Sequence, residues 1–344
     1  MPGAFARLHV PLTTAPMEAR LVAEIPRGPG WQYEPKWDGF RCLAFRDGND
    51  VALMSKSGKP LARYFPEIVE LLRDCGEKRF VVDGELILPL GDSLSFAALQ
   101  ARLHPAASRI ARLSRETPAK LMLFDCLQSG AEPAHDRPLD ERRAALLRNV
   151  VAPGVLRTSE LVTAATWAEL AETRSRSRAL GVEGLMLKRR ASPYAVGRRR
   201  GDWWKWKIDP YSIDAVLIYA QPGSGRRASL LTDYTFAVWD AGELVPIAKA
   251  YSGLSNEEIA EMDKWIRRHT RERFGPVRHV EPVHVFELGF EGIAASARHR
   301  SGIALRFPRM LRWRTDKKPE EADTLEHVRG ILQSALAHGR DADA

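Results

Sequence analysis

Between residues 40 and 189 the chain passes through FRCLAFRDG, VALMS, FVVDGELILP, KLMLFDCL and EGLMLKR, all strand-like in pattern, with helical spacing confined to YFPEIVELLRDC, DERRAALLRNV and TWAELAETRSRSRALG. Many strands interleaved with few helices predict an α+β domain built on antiparallel sheets with flanking helices. The texture changes at KIDPY, residues 207–211. Beyond it come DAVLIYAQ, DYTFAVWD and ELVPIAKAYSG, one helical stretch SNEEIAEMDKWIRRHT, then VHVFELGF and IALRFPRML. Short strands around a single helix match a small β-barrel of the OB-fold type, which often binds nucleic acid. We therefore expect an irregular arm over 1–30, an α+β domain over 31–209, a barrel over 210–330 and a tail over 331–344. The arm is punctuated by Pro11, Pro16, Pro26, Gly28, Pro29 and Gly30, with one short helix expected near 17–24. A length of 344 residues suits two domains, because single cores stop growing at about 250 to 300 residues.

Composition narrows the partners. With 44% hydrophobic and 28% charged residues the chain is an ordinary globular sequence, and a net charge of +8 implies affinity for a polyanion, nucleic acid being the commonest. No apolar run reaches the roughly 18 residues of a spanning helix, and MPGAFARLHVPLTTAP lacks the core of a signal peptide, so a cytoplasmic protein is expected. Cys42, Cys75 and Cys126 are odd in number and show no CxxC spacing, which argues for buried thiols and against a disulfide framework or zinc site.

Several charged residues interrupt apolar strands. Asp83 and Glu85 share a face with Val81 and Ile87; Glu183 opens and Lys188 closes EGLMLK; Lys205 and Lys207 take one face of WWKWK while Trp204 and Trp206 take the other. Lys36 lies between Pro35 and Trp37 in YEPKWDGFR. Singly, each reads as a snorkelling side chain or a strand-end ion pair. Together, three strand lysines, two glutamates and Lys36 suit nucleotidyl transfer. A lysine amine attacks the α-phosphate of a nucleoside triphosphate, neighbouring cations offset phosphate charge, and Mg²⁺ is held by one or two carboxylates plus phosphate oxygens, with Glu85 and Glu183 as the ligands. Phe124 in LMLFDCL either stacks on a base or packs in the core.

In order, KWDGFR at 36–41, SKSG at 55–58, DGEL at 83–86, LFDCL at 123–127, EGLMLK at 183–188, WKWK at 204–207 and RTDK at 314–317 resemble the motif series of the ATP-dependent DNA ligases, within the covalent nucleotidyltransferases. The resemblance covers nearly the whole chain beyond residue 30 and includes small bacterial forms such as ligase C. It implies a nucleotidyltransferase domain followed by an OB-fold domain, with ATP and Mg²⁺ or Mn²⁺ as cofactors. It makes Lys36 the residue that carries AMP, sets Glu34 beside the adenine, Arg41 on the ribose or phosphate, Glu85 on the ribose or a metal, Phe124 on the adenine, Glu183 on the metal, and Lys188, Lys205 and Lys207 along the triphosphate. Arg314, Asp316 and Lys317 would orient the leaving pyrophosphate, with a hinge near Asp209 to Tyr211. Lys56 departs from the pattern, which has Arg there; it lacks the bidentate fork for the 5′-phosphate of a nick. Basic clusters at 189–207, 223–227 and 298–314 would track nicked double-stranded DNA. The implied protein is a monomeric, nucleoid-associated repair ligase, recruited by a DNA-end-binding partner, with an RNA ligase or capping enzyme, or a non-catalytic OB-type binding protein, as alternatives.

Overall fold

The structure, a computed structural model, describes residues 4–26, 28–91, 93–150, 156–197 and 201–338. It divides between Ile208 and Asp209 into two compact units.

Two large sheets and a short hairpin pairing 89–90 with 93–94 build the first unit. The larger runs in the order 157–158, 120–129, 79–87, 40–47 and 50–55, with 132–133 added beside 120–129. One face buries Cys42, Ala44, Val82, Leu86 and Leu123 against Ile68 and Leu72 of the helix Pro66–Arg73. The other buries Leu43, Phe45, Val81 and Leu127 with Phe124, Tyr194 and Trp203. Because both faces are covered, these strands read as nearly continuous apolar runs, and the few charges within them must have partners. The cysteines are all buried and unpaired.

The smaller sheet has the order 20–21, 203–207, 182–189 and 31–37. Its first strand corrects the expected helix near 17–24. Arg20–Leu21 runs parallel to Trp204–Lys205, with the Glu18 N–H donated to the Gly197 carbonyl (2.7 Å) and the Val22 N–H to that of Lys205 (3.1 Å). Backbone donors that a helix would have turned inward are used by the sheet. Three helices were not foreseen, Phe96–Ala101, Ala107–Glu116 and Leu325–His338, the last running past residue 331, where a tail was expected.

The second unit is an antiparallel seven-stranded sheet, with strands 243–250, 231–240, 211–222, 277–280 and 270–274 in line and 285–290 and 309–313 branching from 211–222. Helix Asn256–Arg268 begins at a capping box formed by Ser255 and Glu258 and packs Met262 and Ile266 into the core beside Phe236, Phe286 and Leu288. Among the described residues no helix is long and apolar enough to cross a membrane.

His284 sits between Trp265 and Trp313, at centroid distances of 4.3 and 5.0 Å. Burial, and secondarily His269, pushes its imidazole down to about 4. Unfolded, the ring titrates near 6.5. Between these values only the unfolded chain takes up the proton, so this contribution is complete above pH 6.5 and is lost as pH falls towards 4. Denaturant unfolding followed by tryptophan fluorescence should show up to about 2 kcal/mol lost through this group between pH 7.5 and 5, a share absent from His284→Leu.

Candidate active site

Lys36 is the penultimate residue of the strand Trp31–Trp37, and the chain reverses at Asp38–Gly39 into the strand Phe40–Asp47. The glycine is dictated by contact: a Cβ at Gly39 would stand 2.0 Å from the Leu86 carbonyl oxygen and 3.1 Å from Cγ of Glu85. Gly39→Ala should therefore destabilise the first unit by about 3 kcal/mol in urea unfolding, because the DGEL strand cannot retreat from a sheet packed on both faces.

The turn delivers Lys36 to a pocket that also contains Glu34, Arg41, Lys56, Glu85, Phe124, Lys188 and Lys205. Of the sequence-chosen residues in this unit, Glu183 and Lys207 join through direct contact. The Lys36 ammonium is ion-paired with Glu183, whose other oxygen lies 3.5 Å from Nζ of Lys207. Strand pairing explains the convergence: the strands 182–189 and 203–207 are antiparallel neighbours, with Gly184 opposite Lys207 and Met186 opposite Lys205. Trp204 and Trp206 point away and pack with Leu170, Leu185 and Leu187. Burial pushes the Glu85 carboxyl up to about 7, against the pull of Arg41 and Lys36.

At the other end, Phe124 lines the pocket while packing edge-on against Trp203. Phe124 therefore packs in the core and also presents surface to the pocket. Nζ of Lys188 lies 4.1 Å from the Phe124 centroid and 2.9 Å from Oε2 of Glu34. Lys188 and Glu34 are each 1% exposed, and Gln32 Nε2 donates to the second Glu34 oxygen at 2.8 Å. Lys188 therefore sits against the aromatic ring beside Glu34 and not in the cationic row with Lys205 and Lys207. Strand alternation gives the face on which Lys188 lies but not its depth in the cavity, which the contacts with Glu34 and Phe124 supply. Lys56 is largely exposed and pairs with Glu18 at 2.9 Å.

Asp83, wholly buried, has the partner that burial demands: Arg41 donates Nε and Nη2 to its two oxygens at 2.6 and 2.5 Å. The guanidinium lies 4.6 Å from the Phe124 centroid. Residues 16–19 and Met186 also line the pocket. Met186 shares its strand face with Lys188, a parity the sequence contained. The arm at 16–19 gave no signal, since a single extended strap has no periodicity.

Arg314, Asp316 and Lys317 belong to the second unit. Arg314 donates Nε and Nη2 to Asp316 (2.8 and 2.7 Å), while its Nη1 (2.9 Å) and Lys317 Nζ (2.6 Å) meet Oδ2 of Asp214. Asp214, in the strand 211–222, was not singled out from the sequence; a lone aspartate near a strand start reads as surface.

Residues 16–207 match the family described as ATP dependent DNA ligase domain, and residues 227–317 match ATP dependent DNA ligase C terminal region. The chain belongs to the ATP-dependent DNA ligase family. The first match begins at Pro16, so the family's domain includes the strap that the arm hides. Similar proteins include a probable DNA ligase of Koribacter versatilis, 39% identical over 88% of this chain and 56% of that protein, and a DNA ligase of Thermococcus onnurineus, 34% identical over 88% and 54%. The chain thus spans about half the length of the curated relatives it matches. Its fold is shared by a solved structure from a structure-function analysis of Lig E DNA ligases, with a TM-score of 0.60, 18% identity, and coverage of 87% of this chain and 99% of that one. An α+β nucleotidyltransferase domain followed by an OB-fold domain is the ligase architecture, in agreement with the sequence reading.

Proposed function

We propose that this chain seals 5′-phosphate/3′-hydroxyl nicks in double-stranded DNA, using ATP and a covalent AMP on Lys36. The observation that carries the reading is the position of Lys36, pinned to Glu183 in a pocket whose far wall is Phe124, Lys188 and Glu34. The attacking amine must be free of its proton, and Glu183 is the carboxylate in contact to receive it. Nζ of Lys36 then bonds to the α-phosphorus as the bond to the bridging β-oxygen breaks, and pyrophosphate leaves with its electron pair. The AMP passes from Lys36 to the 5′-phosphate of the nick, and the 3′-hydroxyl displaces it to close the strand. Phe124 and Met186 present apolar surface to the base, and Lys205 and Lys207 supply positive charge to the phosphates.

Glu85 and Glu183 would hold the divalent cation. Among the described residues no cluster of three or more His, Cys, Asp or Glu side chains could do so alone, so the ion would take its remaining ligands from ATP phosphates and water, the manner in which Mg²⁺, and here Mn²⁺, is ordinarily bound. When bound it would neutralise charge on the phosphates.

DNA would be tracked by the basic clusters, of which Arg198, Arg199 and Arg200 lie outside the described residues. We assign the activity to DNA repair by a monomer in the cytoplasm, at the nucleoid, with recruitment by a DNA-end-binding protein. The test is incubation with α-labelled ATP or GTP, followed by unlabelled nicked duplex. The reading expects acid-labile label from ATP alone, chased into a sealed strand by DNA. Label from GTP, or a chase into nicked RNA only, favours the capping or RNA-ligase alternative.

A further inference from the structure

We infer that Tyr194 is a positioning residue which clasps the strap at residues 16–19 and the guanidinium of Arg41 into one wall of the nucleotide pocket; this rests on the reading that the pocket takes ATP. Tyr194 is 5% exposed and lies between the strands 182–189 and 203–207, in a segment the sequence offers only as part of a basic run. Its O–H donates to Oδ2 of Asp83 at 2.6 Å, and its oxygen accepts the Met17 N–H at 3.0 Å. Asp83 holds Arg41 by two hydrogen bonds, and Arg41 Nη2 donates in turn to the Met17 carbonyl at 3.2 Å. The four groups close a ring. Both polar backbone atoms of Met17 are engaged in it, and the strap is held again where the Ala195 N–H meets Met17 Sδ at 3.3 Å.

Two of these partners, Met17 and Arg41, face the pocket. A tyrosine that merely filled the core could satisfy its hydroxyl on any carbonyl. This one satisfies it on the carboxylate that fixes Arg41 and on the amide that fixes the strap. Burial and the adjacent Asp83 raise its hydroxyl well above the usual tyrosine range, so it stays a donor at working pH. Loss of the hydroxyl would leave a buried Asp83 oxygen short of one donor and the Met17 N–H without an acceptor, freeing the strap to detach and Arg41 to swing.

The experiment compares the parent, Tyr194→Phe, Arg41→Ala and the double variant, reading ATP affinity by calorimetry and self-adenylylation at saturating ATP. Tyr194→Phe should weaken ATP binding about tenfold while the saturated rate stays within about twofold, and in the Arg41→Ala background it should change affinity by less than about twofold. Unchanged ATP affinity in a cooperatively melting Tyr194→Phe protein, or the same loss in both backgrounds, overturns the clasp and leaves the ligase reading standing. A parent that binds no ATP overturns both. Should Tyr194→Phe fail to fold, the parent decides: ATP should slow tryptic cleavage after Arg20, and equal rates with and without ATP overturn the proposal.

Discussion

Lys36→Ala protein takes no label from α-labelled ATP above background and seals no ordinary nick, while its affinity for nicked duplex stays within about twofold of the parent's. The separation follows from what the side chain supplies. In the proposed reaction the amine carries AMP, whereas its charge is one among the chain's 52 lysines and arginines, many of which can meet phosphate backbones. Lys36→Arg should fail as fully, although it preserves the charge and could keep the ion pair with Glu183, because a guanidinium remains protonated and offers no lone pair. Labelling that persists in either variant, mapped by peptide analysis to another lysine, would remove Lys36 from the mechanism.

Asp316→Ala is expected to lose self-adenylylation by at least about 100-fold and yet join a nick whose 5′ end was adenylylated beforehand at close to the parent rate. Asp316 is largely exposed, with its carboxylate forked onto Arg314, and that pairing holds it well below the usual carboxylate range. Removing it leaves Arg314 held by Asp214 alone. If the RTDK element acts on departing pyrophosphate, the damage is confined to the step that uses ATP. Equal defects in the two assays would point instead to general damage to the second unit.

The legible parts of the site were those where chemistry disturbs a regular pattern. Glu183, Lys188, Lys205 and Lys207 stood out because each is charged within an apolar strand, and strand pairing then brought most of them to Lys36 without further information. The ion pair of Lys188 was not legible: parity reports which way a side chain points, while its partner Glu34 lies 154 positions away in the chain. Tyr194 and Asp214 were invisible because their importance lies wholly in partners distant in sequence, Asp83 and Met17 for one, Arg314 and Lys317 for the other. The strap at 16–21 failed for want of length, since two paired residues carry no period and the prolines around them describe an arm equally well.

That strap sets an order of events during synthesis. Arg20 pairs with Trp204, so the first and last strands of the unit are neighbours, and the clasp at Met17 waits for Tyr194. Contacts of such long range close late, after the sheet at 40–129 has its local hairpins. A ribosome-bound chain that has emerged only as far as residue 190 can hold most of its core, but it lacks the Tyr194 clasp on the strap and two of the lysines at the pocket, Lys205 and Lys207. Such a nascent chain should neither retain ATP nor form the lysyl adduct, and competence should appear abruptly once the WWKWK strand is out.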